Sequence, residues 1–318
     1  MIPRCLVLGG KGFIGSHLTS GLLRAGYTVR VLDRPGPPLL EPRPGDVVEF
    51  FDGDFSDTER VSSAMEGCSY CFHLASTTIP KSSNENPAFD VSTNVISTIQ
   101  LLEAAKDAKI KKFIFISSGG TIYGVPRYIP LDENHPTEPM CSYGISKLAI
   151  EKYLSLYHSL HDLDYVVLRL SNPFGEGQRT RATQGTVAVF LGKCLRGEPV
   201  EIWGDGSVVR DYVYIGDVVN ACLAVMNDTR GQHVFNVGSG VPMSLLQLLD
   251  SIEMVTGKII ERHFLPGRKF DVPFNVLSIE RIRECIGWSP QTDFLQGLTQ
   301  MAIHEMYNAP QNLDSVLR

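Results

Sequence analysis

The stretch Arg4-Cys-Leu-Val-Leu-Gly-Gly-Lys-Gly-Phe-Ile-Gly-Ser-His17 decides how the rest of the chain is organised. Its apolar residues 5–8 have the length of a short buried strand. Glycine then recurs at three-residue spacing, at Gly9, Gly12 and Gly15. The leucines at 18, 22 and 23 that follow have the spacing of an apolar helix face. Together these features predict a strand, a tight turn and the start of a helix.

A glycine turn of this kind is suited to binding a dinucleotide. Without a Cβ the backbone can approach a pyrophosphate closely, and the helix N-terminus offers unpaired N–H groups to the anion. The expected contacts come from the turn and the first helical residues: Gly9, Gly12, Phe13, Ile14 and Gly15. The spacing differs by one residue from the common Gly-x-Gly-x-x-Gly form, and a plain strand-to-helix turn capped by glycine is the alternative.

The residue after the second strand-like run indicates which dinucleotide is bound. The run 28–32 ends at Asp33, eighteen residues beyond Gly15. A carboxylate there accepts hydrogen bonds from the adenine-ribose hydroxyls and repels the extra phosphate of NADP, which favours NAD. Because of Arg34, NADP stays an alternative cofactor, since a guanidinium next to Asp33 can pair with that phosphate.

Size and composition exclude several classes of function. The chain has 318 residues, enough for two packed units or one large unit with a lobe. Its formal net charge of −6 gives no general electrostatic reason to bind nucleic acid or an anionic membrane, so neither is expected as a partner. No apolar run approaches the roughly twenty residues of a membrane helix, and the N-terminus lacks a secretory pattern. We therefore expect a cytoplasmic protein.

The cysteines fit the same compartment. There are seven, an odd and scattered set, which favours reduced thiols over a disulfide framework. Cys68-Ser-Tyr-Cys71 has the spacing of a redox or metal motif, but it lies in a strand-like run with no second Cys or His pair nearby. Small buried core residues are the better interpretation, and no metal site is predicted.

Strand-like and helix-like runs alternate along most of the chain. The expected strands of the main sheet are 5–8, 28–32, 47–51, 70–74, 111–116, 164–170 and 232–237. This alternation predicts an α/β fold, a doubly wound parallel sheet of the Rossmann type with helices on both faces. Residues 174–210 leave the alternation and begin a smaller C-terminal lobe. We expect an NAD-binding domain of residues 1–171 with 211–237, and a substrate-binding lobe of residues 172–210 with 238–318.

Further cofactor contacts are expected where strands end at the carboxyl edge of the sheet. Asp54 follows the third strand and is placed to bond the adenine amine, with an aspartate in a polar turn as the alternative. Small residues after the fourth strand let a cofactor cross the strand ends. The other candidates at this edge are Phe55, Leu74, Ala75, Ser76 and Asn94, the last in a helix expected at 91–108. His73 is expected to be a packed strand-end residue.

A tyrosine and a lysine one helical turn apart are the candidate catalytic pair. The fifth strand ends in Ser117-Ser-Gly-Gly-Thr-Ile-Tyr-Gly124, and Tyr143-Gly-Ile-Ser-Lys147 opens a helix further along. Side chains four residues apart leave the same helical face. A phenol near a lysine ammonium and a cationic nicotinamide ring has its ionised form favoured, which prepares it to act as a base. A chance Tyr-x-x-x-Lys pair is the alternative.

These motifs together resemble the extended short-chain dehydrogenase/reductases, and within them the NAD-dependent nucleotide-sugar epimerase/dehydratases. The matching segments follow the family's order over almost the whole length. They are residues 9–15, Asp33, Gly53-Asp54, His73-Leu-Ala-Ser76, Asn94, 117–124, 143–147, Leu168-Arg-Leu-Ser-Asn-Pro173, Arg210-Asp-Tyr-Val213 and Gly267-Arg-Lys-Phe-Asp-Val-Pro273.

The resemblance implies a 4-epimerase acting on a nucleotide sugar, a UDP-hexose or UDP-N-acetylhexosamine. Tyr143 would take the proton of a sugar hydroxyl as the hydride passes to NAD, and the hydride would return to the opposite face of the keto sugar. Lys147 would hold the nicotinamide ribose and lower the pKa of the phenol. The positions that match substrate contacts are Thr78, Ser118, Thr121, Asn172, Arg210, Arg268 and Asp271.

Within that set, the resemblance places Arg210 and Arg268 at the diphosphate. A guanidinium can hold two phosphate oxygens at once, which suits arginine to this contact. The resemblance places Asn172 there too and Asp271 at the nucleoside ribose. The alternatives are an Asx turn before proline for Asn172 and a solvated surface charge for Arg268.

One position departs from the family pattern. Gly119 stands where family members carry a catalytic serine or threonine. Ser118, Thr121 or a water molecule is left to supply the hydroxyl, and Ser118 is favoured. Gly120 and Thr121 stand where dehydratases carry an acid pair, and the position of Thr121 carries a glutamate in uronate decarboxylases, which disfavours both reactions. Asn275 lies beside the expected sugar position and leaves room for an N-acetyl group.

Three further expectations complete the sequence analysis. A nucleotide-sugar reductase stays open, because it needs only the Tyr/Lys pair and exchangeable NADPH. A regulator that senses NAD without chemistry is disfavoured by the presence of that pair and of the phosphate arginines. The helices at 91–108 and 146–160 are apolar over more than one stripe, and family members often pair these helices, so we expect a homodimer.

Overall fold

The strand, turn and helix predicted around the first glycines are the first elements of the fold. The computed structural model describes residues 2–182, 184–227, 229–267 and 272–308. Strand β1 (Arg4–Leu8) and helix α1 (Phe13–Arg24) lie on either side of the turn. The helix begins after Gly12, whose backbone is extended, and the chain turns away at Gly26, where φ is +86°.

Strands alternate with helices through most of the described chain. After β1 the strands are β2 (Thr28–Asp33), β3 (Val48–Asp52), β4 (Tyr70–His73), β5 (Lys112–Ser118), β6 (Tyr165–Leu170), β7 (Asn172–Phe174), β8 (Val200–Trp203), β9 (Val209–Tyr214), β10 (Val234–Val237), β11 (Pro242–Ser244), β12 (Arg262–Leu265) and β13 (Phe274–Asn275). After α1 the helices are α2 (Thr58–Met65), α3 (Pro80–Glu85), α4 (Pro87–Asp90), α5 (Ser97–Asp107), α6 (Ser142–His161), α7 (Thr186–Arg196), α8 (Ile215–Ala224), α9 (Leu245–Thr256), α10 (Glu280–Ile286) and α11 (Phe294–Asn308). None of the helices in the described ranges has both the length and the apolar character needed to cross a membrane.

Seven strands of the described chain form one sheet in the order β10-β6-β5-β4-β1-β2-β3. Every pairing within it is parallel. The order reverses between β1 and β4, and in doubly wound sheets the crevice at such a reversal is where ligands bind. The predicted fold class, a doubly wound α/β fold, is confirmed.

Helices cover both faces of this sheet. On one face α1 and α8 bury side chains such as Leu22 and Val218 against the strands. On the other face α2, α5 and α6 do the same with Met65, Leu101 and Leu154. A strand buried on both faces has no polar side, which explains why the strands read as nearly continuous apolar runs in the sequence.

A third core lies outside the main sheet. Side chains of α7, α9 and α11, among them Leu191, Leu249 and Met301, are buried together there. Strand β9 pairs with β7, β11 and β13, and β8 pairs with β12. The division at 172–210 and 238–318 stays a prediction. Ile282 and Trp288 pack in the same core as α1 and α8, so packing alone would group the α10 region with the sheet.

The segment predicted as one helix at 91–108 consists of a π-helical segment followed by the α-helix α5. A π-helical segment, Val91–Ile96, joins α4 to α5. The side-chain amide of Asn94 donates to the carbonyl of Asp90 at 3.1 Å, and this is the acceptor that the Asn94 N–H would use in an α-helix. The hydroxyl of Thr98 donates in turn to the carbonyl of Asn94 at 2.6 Å. Single π-helical turns are frequent at functional sites.

A buried ion pair connects α6 with the main sheet. The guanidinium of Arg169 on β6 donates to Glu151 at 2.7 Å and to the phenol oxygen of Tyr123 at 3.0 Å. The hydroxyl of Ser117 donates to Glu151 at 2.6 Å, and the phenol of Tyr123 donates to Asn236 on β10 at 2.6 Å. Each charge is balanced and hydrogen-bonded, which is the condition under which buried charges are tolerated.

Replacing Glu151 with glutamine keeps the shape of the side chain and removes the charge that balances Arg169. An uncompensated buried guanidinium is costly, so we expect the free energy of unfolding to fall by about 3 kcal/mol in chemical denaturation. Glu198→Gln is the matched control. Glu198 pairs with Arg196 near the surface at 2.8 Å, where water replaces a lost partner, and stability should change little. Equal losses in both variants would contradict this account.

Candidate active site

The glycine turn brings the backbones of separate segments into contact. Gly9 has a φ of +81°, and a Cβ there would lie 3.1 Å from the amide nitrogen of Ala75, just beyond β4. A Cβ on Gly15 would lie 2.1 Å from the carbonyl oxygen of Gly9. A side chain at either position would push α1 or the end of β4 away from the turn, so both need glycine.

The N-terminus of α1 has the features of an anion site. Its N-cap residue, Gly12, provides no side-chain cap, and its N–H donates back to the carbonyl of Gly9 at 3.2 Å. The first N–H groups of an α-helix have no acceptor within the helix, and here they belong to Phe13, Ile14 and Gly15. A bare glycine cradle against a helix N-terminus fits the pyrophosphate of a dinucleotide.

Asp33 is joined to this turn by backbone hydrogen bonds. Its Oδ2 accepts from the N–H of Lys11 and its Oδ1 from the N–H of Arg34, both at 2.8 Å. The ammonium of Lys11 reaches Asp52 at the end of β3, at 2.6 Å. Each carboxylate oxygen can accept a second hydrogen bond, so Asp33 is still able to bind ribose hydroxyls. The side chain of Arg34 is exposed.

Asp54 and Phe55 have partners within the protein. One oxygen of Asp54 accepts from the N–H and the hydroxyl of Ser56, at 2.9 and 2.8 Å, which is the polar turn given above as the alternative. Phe55 is buried with its ring centroid 5.4 Å from that of His73. His73 is a packed strand-end residue, as predicted, and burial lowers its pKa to about 3. Cofactor contacts of Asp54 and Phe55 stay predictions.

A cavity beyond the end of β4 brings the predicted catalytic pair next to several predicted cofactor residues. It is lined by His73, Ala75, Ser76, Asp90, Asn94, Tyr143, Ser146, Lys147 and Ile150. At its wall the side-chain oxygen of Asn94 accepts from the N–H of Thr77 at 3.0 Å and from the hydroxyl of Ser76 at 3.4 Å. The N–H of Leu74 donates to the carbonyl of Leu8 at 3.1 Å, which holds the end of β4 beside β1.

Lys147 is buried beside Tyr143, on the same face of α6. Its ammonium donates to the carbonyl of Ile116 at 2.9 Å. The same nitrogen lies 4.6 Å from the ring centroid of Phe115 and 5.6 Å from that of Tyr143. Burial lowers the pKa of Lys147 to about 8, so the side chain is mostly charged at neutral pH. The sequence pair is therefore also a spatial pair.

Burial, the largest influence, raises the pKa of Tyr143 to about 12, with smaller contributions from Cys141 and Asp90. In the protein by itself, lost hydration therefore penalises the phenolate more than the neighbouring charges help it. The expectation that Lys147 and a cationic nicotinamide ring together favour the ionised phenol stays a prediction. Lowering this pKa requires a further positive charge in the cavity.

Asp90 is a site residue that the sequence analysis missed. Its carboxylate is fully buried, and one oxygen accepts from the hydroxyls of Ser142 and Ser146, each at 2.7 Å. The other oxygen accepts from the hydroxyl of Thr78 and from the amide of Asn94 at 3.0 Å. An aspartate four residues before Asn94, the one charged residue between Glu85 and Glu103, was the available signal. Thr78 is itself buried here, and its contact with substrate stays a prediction.

Position 119 has no room for a side chain. A Cβ on Gly119 would lie 2.6 Å from Cδ1 of Leu277. The N–H of Gly119 donates to the carbonyl of Leu170 at 2.8 Å, and its carbonyl accepts from the amide of Asn275 at 3.1 Å. The backbone is thus held from both sides, and Leu277 fills the space that a serine or threonine would occupy.

Ser118 and Thr121 remain the candidate hydroxyls near this position. Ser118 is the last residue of β5 and is half-buried. The hydroxyl oxygen of Thr121 is buried and has no hydrogen-bond partner among the described residues. A Cβ on Gly144, the neighbour of Tyr143, would lie 2.8 Å from the carbonyl oxygen of Thr121. Which of these two hydroxyls contacts the sugar stays a prediction.

Two of the predicted diphosphate contacts lie near each other on neighbouring strands. Asn172 on β7 donates its amide to the carbonyl of Asp211 on β9 at 2.9 Å. Arg210, also on β9, donates to two backbone carbonyl groups at 2.8 and 2.9 Å. Asp211 is buried, and its carboxylate accepts from the N–H and the hydroxyl of Ser239 in the loop after β10. These bonds fix β9 in place. Arg268 and Asp271 lie outside the described residues.

Comparison with known proteins identifies the family. The sequence model described as the NAD dependent epimerase/dehydratase family matches residues 5–238, more than half of the chain. The chain belongs to this family. It is 36% identical over 302 residues to the UDP-glucose 4-epimerase of Mycolicibacterium smegmatis, a match that covers 93% of this chain and 96% of that protein.

Solved structures of relatives have the same fold as this epimerase/dehydratase family member. The UDP-glucose 4-epimerase of Thermotoga maritima with UDP-glucose superposes with a TM-score of 0.90 at 36% identity, covering 96% of this chain and 99% of that one. The UDP-glucose 4-epimerase of Thermus thermophilus in complex with NAD gives 0.87 at 34% identity, covering 96% and 100%. The resemblance inferred from the motifs is confirmed.

The contact between Gly119 and Leu277 can be tested by a double-mutant cycle. Gly119→Ala should lower the free energy of unfolding by about 2 kcal/mol, because the added methyl overlaps Leu277. Leu277→Ala should cost about 3 kcal/mol by leaving a cavity. The double variant should lose clearly less than the sum, since each change accommodates the other. Additive losses in chemical denaturation would show that the two side chains do not compete for this space.

Proposed function

We propose that this family member is an NAD-dependent 4-epimerase of a UDP-linked hexose or N-acetylhexosamine. The observation that carries the proposal is the cavity in which Tyr143 and Lys147 meet Ala75, Ser76 and Asn94. It lies beside the reversal of strand order, where doubly wound sheets bind their cofactors. The UDP-glucose 4-epimerases that share this fold at more than 30% identity support the same conclusion.

The residues present fit NAD as the cofactor. When bound, NAD supplies a hydride acceptor that returns the same hydride, so the reaction has no net redox change. The glycine turn and the start of α1 bind the pyrophosphate, and Asp33 binds the adenine ribose. The residues proposed to contact it are Gly9, Gly12, Phe13, Ile14, Gly15, Asp33, Ala75, Ser76, Asn94, Tyr143 and Lys147.

Tyr143 is the proposed base. As a phenolate it accepts the proton of the sugar C4 hydroxyl while the C4–H bond breaks, and it returns that proton when the opposite face of the sugar is reduced. Lys147 is held by the carbonyl of Ile116, so its charge stays next to the phenol through both steps. This charge offsets part of the cost of burying the phenolate.

The substrate is proposed to be held through its diphosphate. Asn172 and Arg210 lie on the paired strands β7 and β9, at the start of the smaller lobe. Arg268 and Asp271 are proposed as further contacts from the sequence resemblance. In a chain of net charge −6, the guanidinium group of Arg210 gives a local site for an anion. This is the chemistry that a UDP-linked sugar requires.

Thr121 is proposed to bond the reacting sugar oxygen. Its hydroxyl oxygen is buried without a partner in the described structure, and its backbone carbonyl lies beside the first turn of α6. Ser118 is the second candidate. Asn275 is buried with its side-chain oxygen also unpartnered among the described residues. A hydroxyl or an amide N–H of the sugar would satisfy such oxygens, so both hexose and N-acetylhexosamine substrates are included in the proposal.

Tyr143→Phe removes the group that carries the proton and leaves the ring in place. We expect turnover to fall by about 10³-fold while bound NAD is unchanged. Interconversion of UDP-galactose or UDP-N-acetylglucosamine with its C4 epimer, followed by NMR, measures turnover. Tyr153→Phe is the matched control, because Tyr153 lies on the same helix and packs against the core of the sheet.

Other outcomes of this assay distinguish the alternatives. Near wild-type epimerisation by Tyr143→Phe would refute the proposed mechanism. Tight NAD binding without conversion of any sugar nucleotide would favour a sensing regulator. Consumption of NADPH with formation of a reduced sugar would favour a nucleotide-sugar reductase.

We also propose that the protein is a homodimer through the helices predicted from the sequence. Several large apolar side chains on these segments are exposed: 41% for Val91, 49% for Ile96, 45% for Leu156 and 64% for Leu160. Apolar side chains grouped in this way commonly mark a protein contact. A symmetric pairing of the two helices with their copies would bury them.

A charge on this face should separate the subunits. We expect the wild type to have the mass of two chains in sedimentation at micromolar concentration, and Leu160→Glu to have the mass of one. Ile259→Glu is the control, because Ile259 is 94% exposed in the smaller lobe, away from these helices. A wild-type mass of one chain would contradict the homodimer.

A cytoplasmic location is proposed from the cysteines. All seven lie within the described ranges and are free thiols. Cys68 and Cys71 are buried in the core, as the sequence analysis predicted. Unpaired thiols are typical of a reducing compartment.

A further inference from the structure

The carboxylate of Asp90 is fully buried and is bonded to four side chains from separate segments. Its Oδ2 accepts from Ser142 and Ser146, each at 2.7 Å. Its Oδ1 accepts from Thr78 and from Asn94, the latter at 3.0 Å. These donors belong to the loop after β4, the π-helical segment and α6. One charged group therefore connects the three walls of the cavity.

Each bond to α6 is made by the residue directly before one member of the catalytic pair. Ser142 precedes Tyr143, and Ser146 precedes Lys147. The residue at the N-cap of α6, Cys141, provides no side-chain hydrogen bond. The start of α6 depends instead on side chains of other segments.

Helix α3 completes this external cap. The hydroxyl of Ser83 accepts from the N–H of Tyr143 at 3.0 Å, and the side-chain oxygen of Asn84 accepts from the N–H of Ser142 at 2.9 Å. With Asp90, these groups bind the first turn of α6 through both its backbone and its hydroxyls. Orphan N–H groups at a buried helix start need such partners.

We propose that Asp90 is a positioning residue for the proposed epimerisation, which joins the catalytic turn of α6 to the cofactor segment at Asn94 and sets the electrostatic field at Tyr143. This inference rests on the proposed function. Asp90 acts through its four partners and through its charge.

The negative charge of Asp90 affects the pKa values of both Tyr143 and Lys147. Burial is the largest influence on both pKa values and raises that of Tyr143 but lowers that of Lys147. Asp90 raises both pKa values, with a smaller effect than Cys141 on Tyr143 and than Glu151 on Lys147. The hydrogen bonds that it accepts outweigh its own burial and lower the pKa of Asp90, so it is ionised at neutral pH. The other titratable groups around it are Cys141 and Glu151 on α6, His73 on β4, and the exposed Lys81 and Glu85 on α3.

Asp90→Asn tests the charge with little change of shape. Without the carboxylate, the phenol ionises and the ammonium loses its proton at lower pH. We expect both limbs of the pH profile of kcat/KM to move to lower pH by roughly half a unit to one unit. A purely structural role would lower the rate at every pH without moving the limbs.

The double variant Ser142→Ala with Ser146→Ala removes two hydrogen bonds to Asp90 and keeps the charge of its carboxylate. We expect kcat to fall by about tenfold, since the pair is less well held, with KM and the two limbs of the pH profile little changed. Asp217→Asn is the matched control. Asp217 is a buried carboxylate that accepts backbone N–H groups of Gln291 and Thr292, and its loss should leave the pH profile unmoved.

A second measurement separates this inference from the proposed function. Amide hydrogen exchange of the peptide that spans residues 142–147 can be measured without substrate. We expect this exchange to be at least about tenfold faster in Asp90→Asn than in the wild type. In the control variant Asp217→Asn it should be unchanged. Faster exchange with an inactive wild type would refute the epimerase and retain the positioning role. Unchanged exchange, or unmoved limbs in an active enzyme, would refute the role of Asp90.

Discussion

The contact between Gly15 and the carbonyl of Gly9 is the constraint on which the rest of the site depends. A side chain at Gly15 would approach that oxygen to 2.1 Å, so α1 starts where it does only because the position is bare. The same turn lies against Ala75, which brings the end of β4 to the start of α1. The anion-binding helix end, Asp33 and the cavity wall are therefore fixed relative to one another by backbone contacts. A backbone held in this way cannot adjust by changing a rotamer, which makes the geometry reproducible.

One face of helix α6 carries both the catalytic pair and one member of the buried ion pair. Tyr143 and Lys147 line the cavity, and Glu151, one further turn along, enters the ion pair with Arg169. A helix with charged groups at successive turns of its buried face would be unstable alone, since each charge must leave water. The carbonyl of Ile116 accepts from Lys147, and Arg169 donates to Glu151, and these partners make the burial tolerable. The free-energy cost of burying these charges is thus offset by groups that need not touch a substrate.

Features that depend on contiguous spacing were predictable from the sequence. The glycine turn, Asp33 and the Tyr143–Lys147 pair are each contained in a short segment whose local structure sets their geometry. The role of Asp90 was not predictable, because its partners come from segments up to 56 residues away. The raised pKa of Tyr143 in the protein by itself was not predictable for a related reason: burial is a property of packing, and spacing does not report it. The π-helical segment was missed since a side chain, Asn94, takes a backbone acceptor there.

The chain also passes repeatedly between the main sheet and the third core. It leaves the sheet between β6 and β7, returns at the junction of β9 and α8, and leaves again between β10 and β11. A clamshell movement would have to bend all of these junctions together. For the same reason neither part is a self-sufficient module, because cutting the chain at any single junction leaves β6 without its β10 neighbour or β9 without its flanking strands.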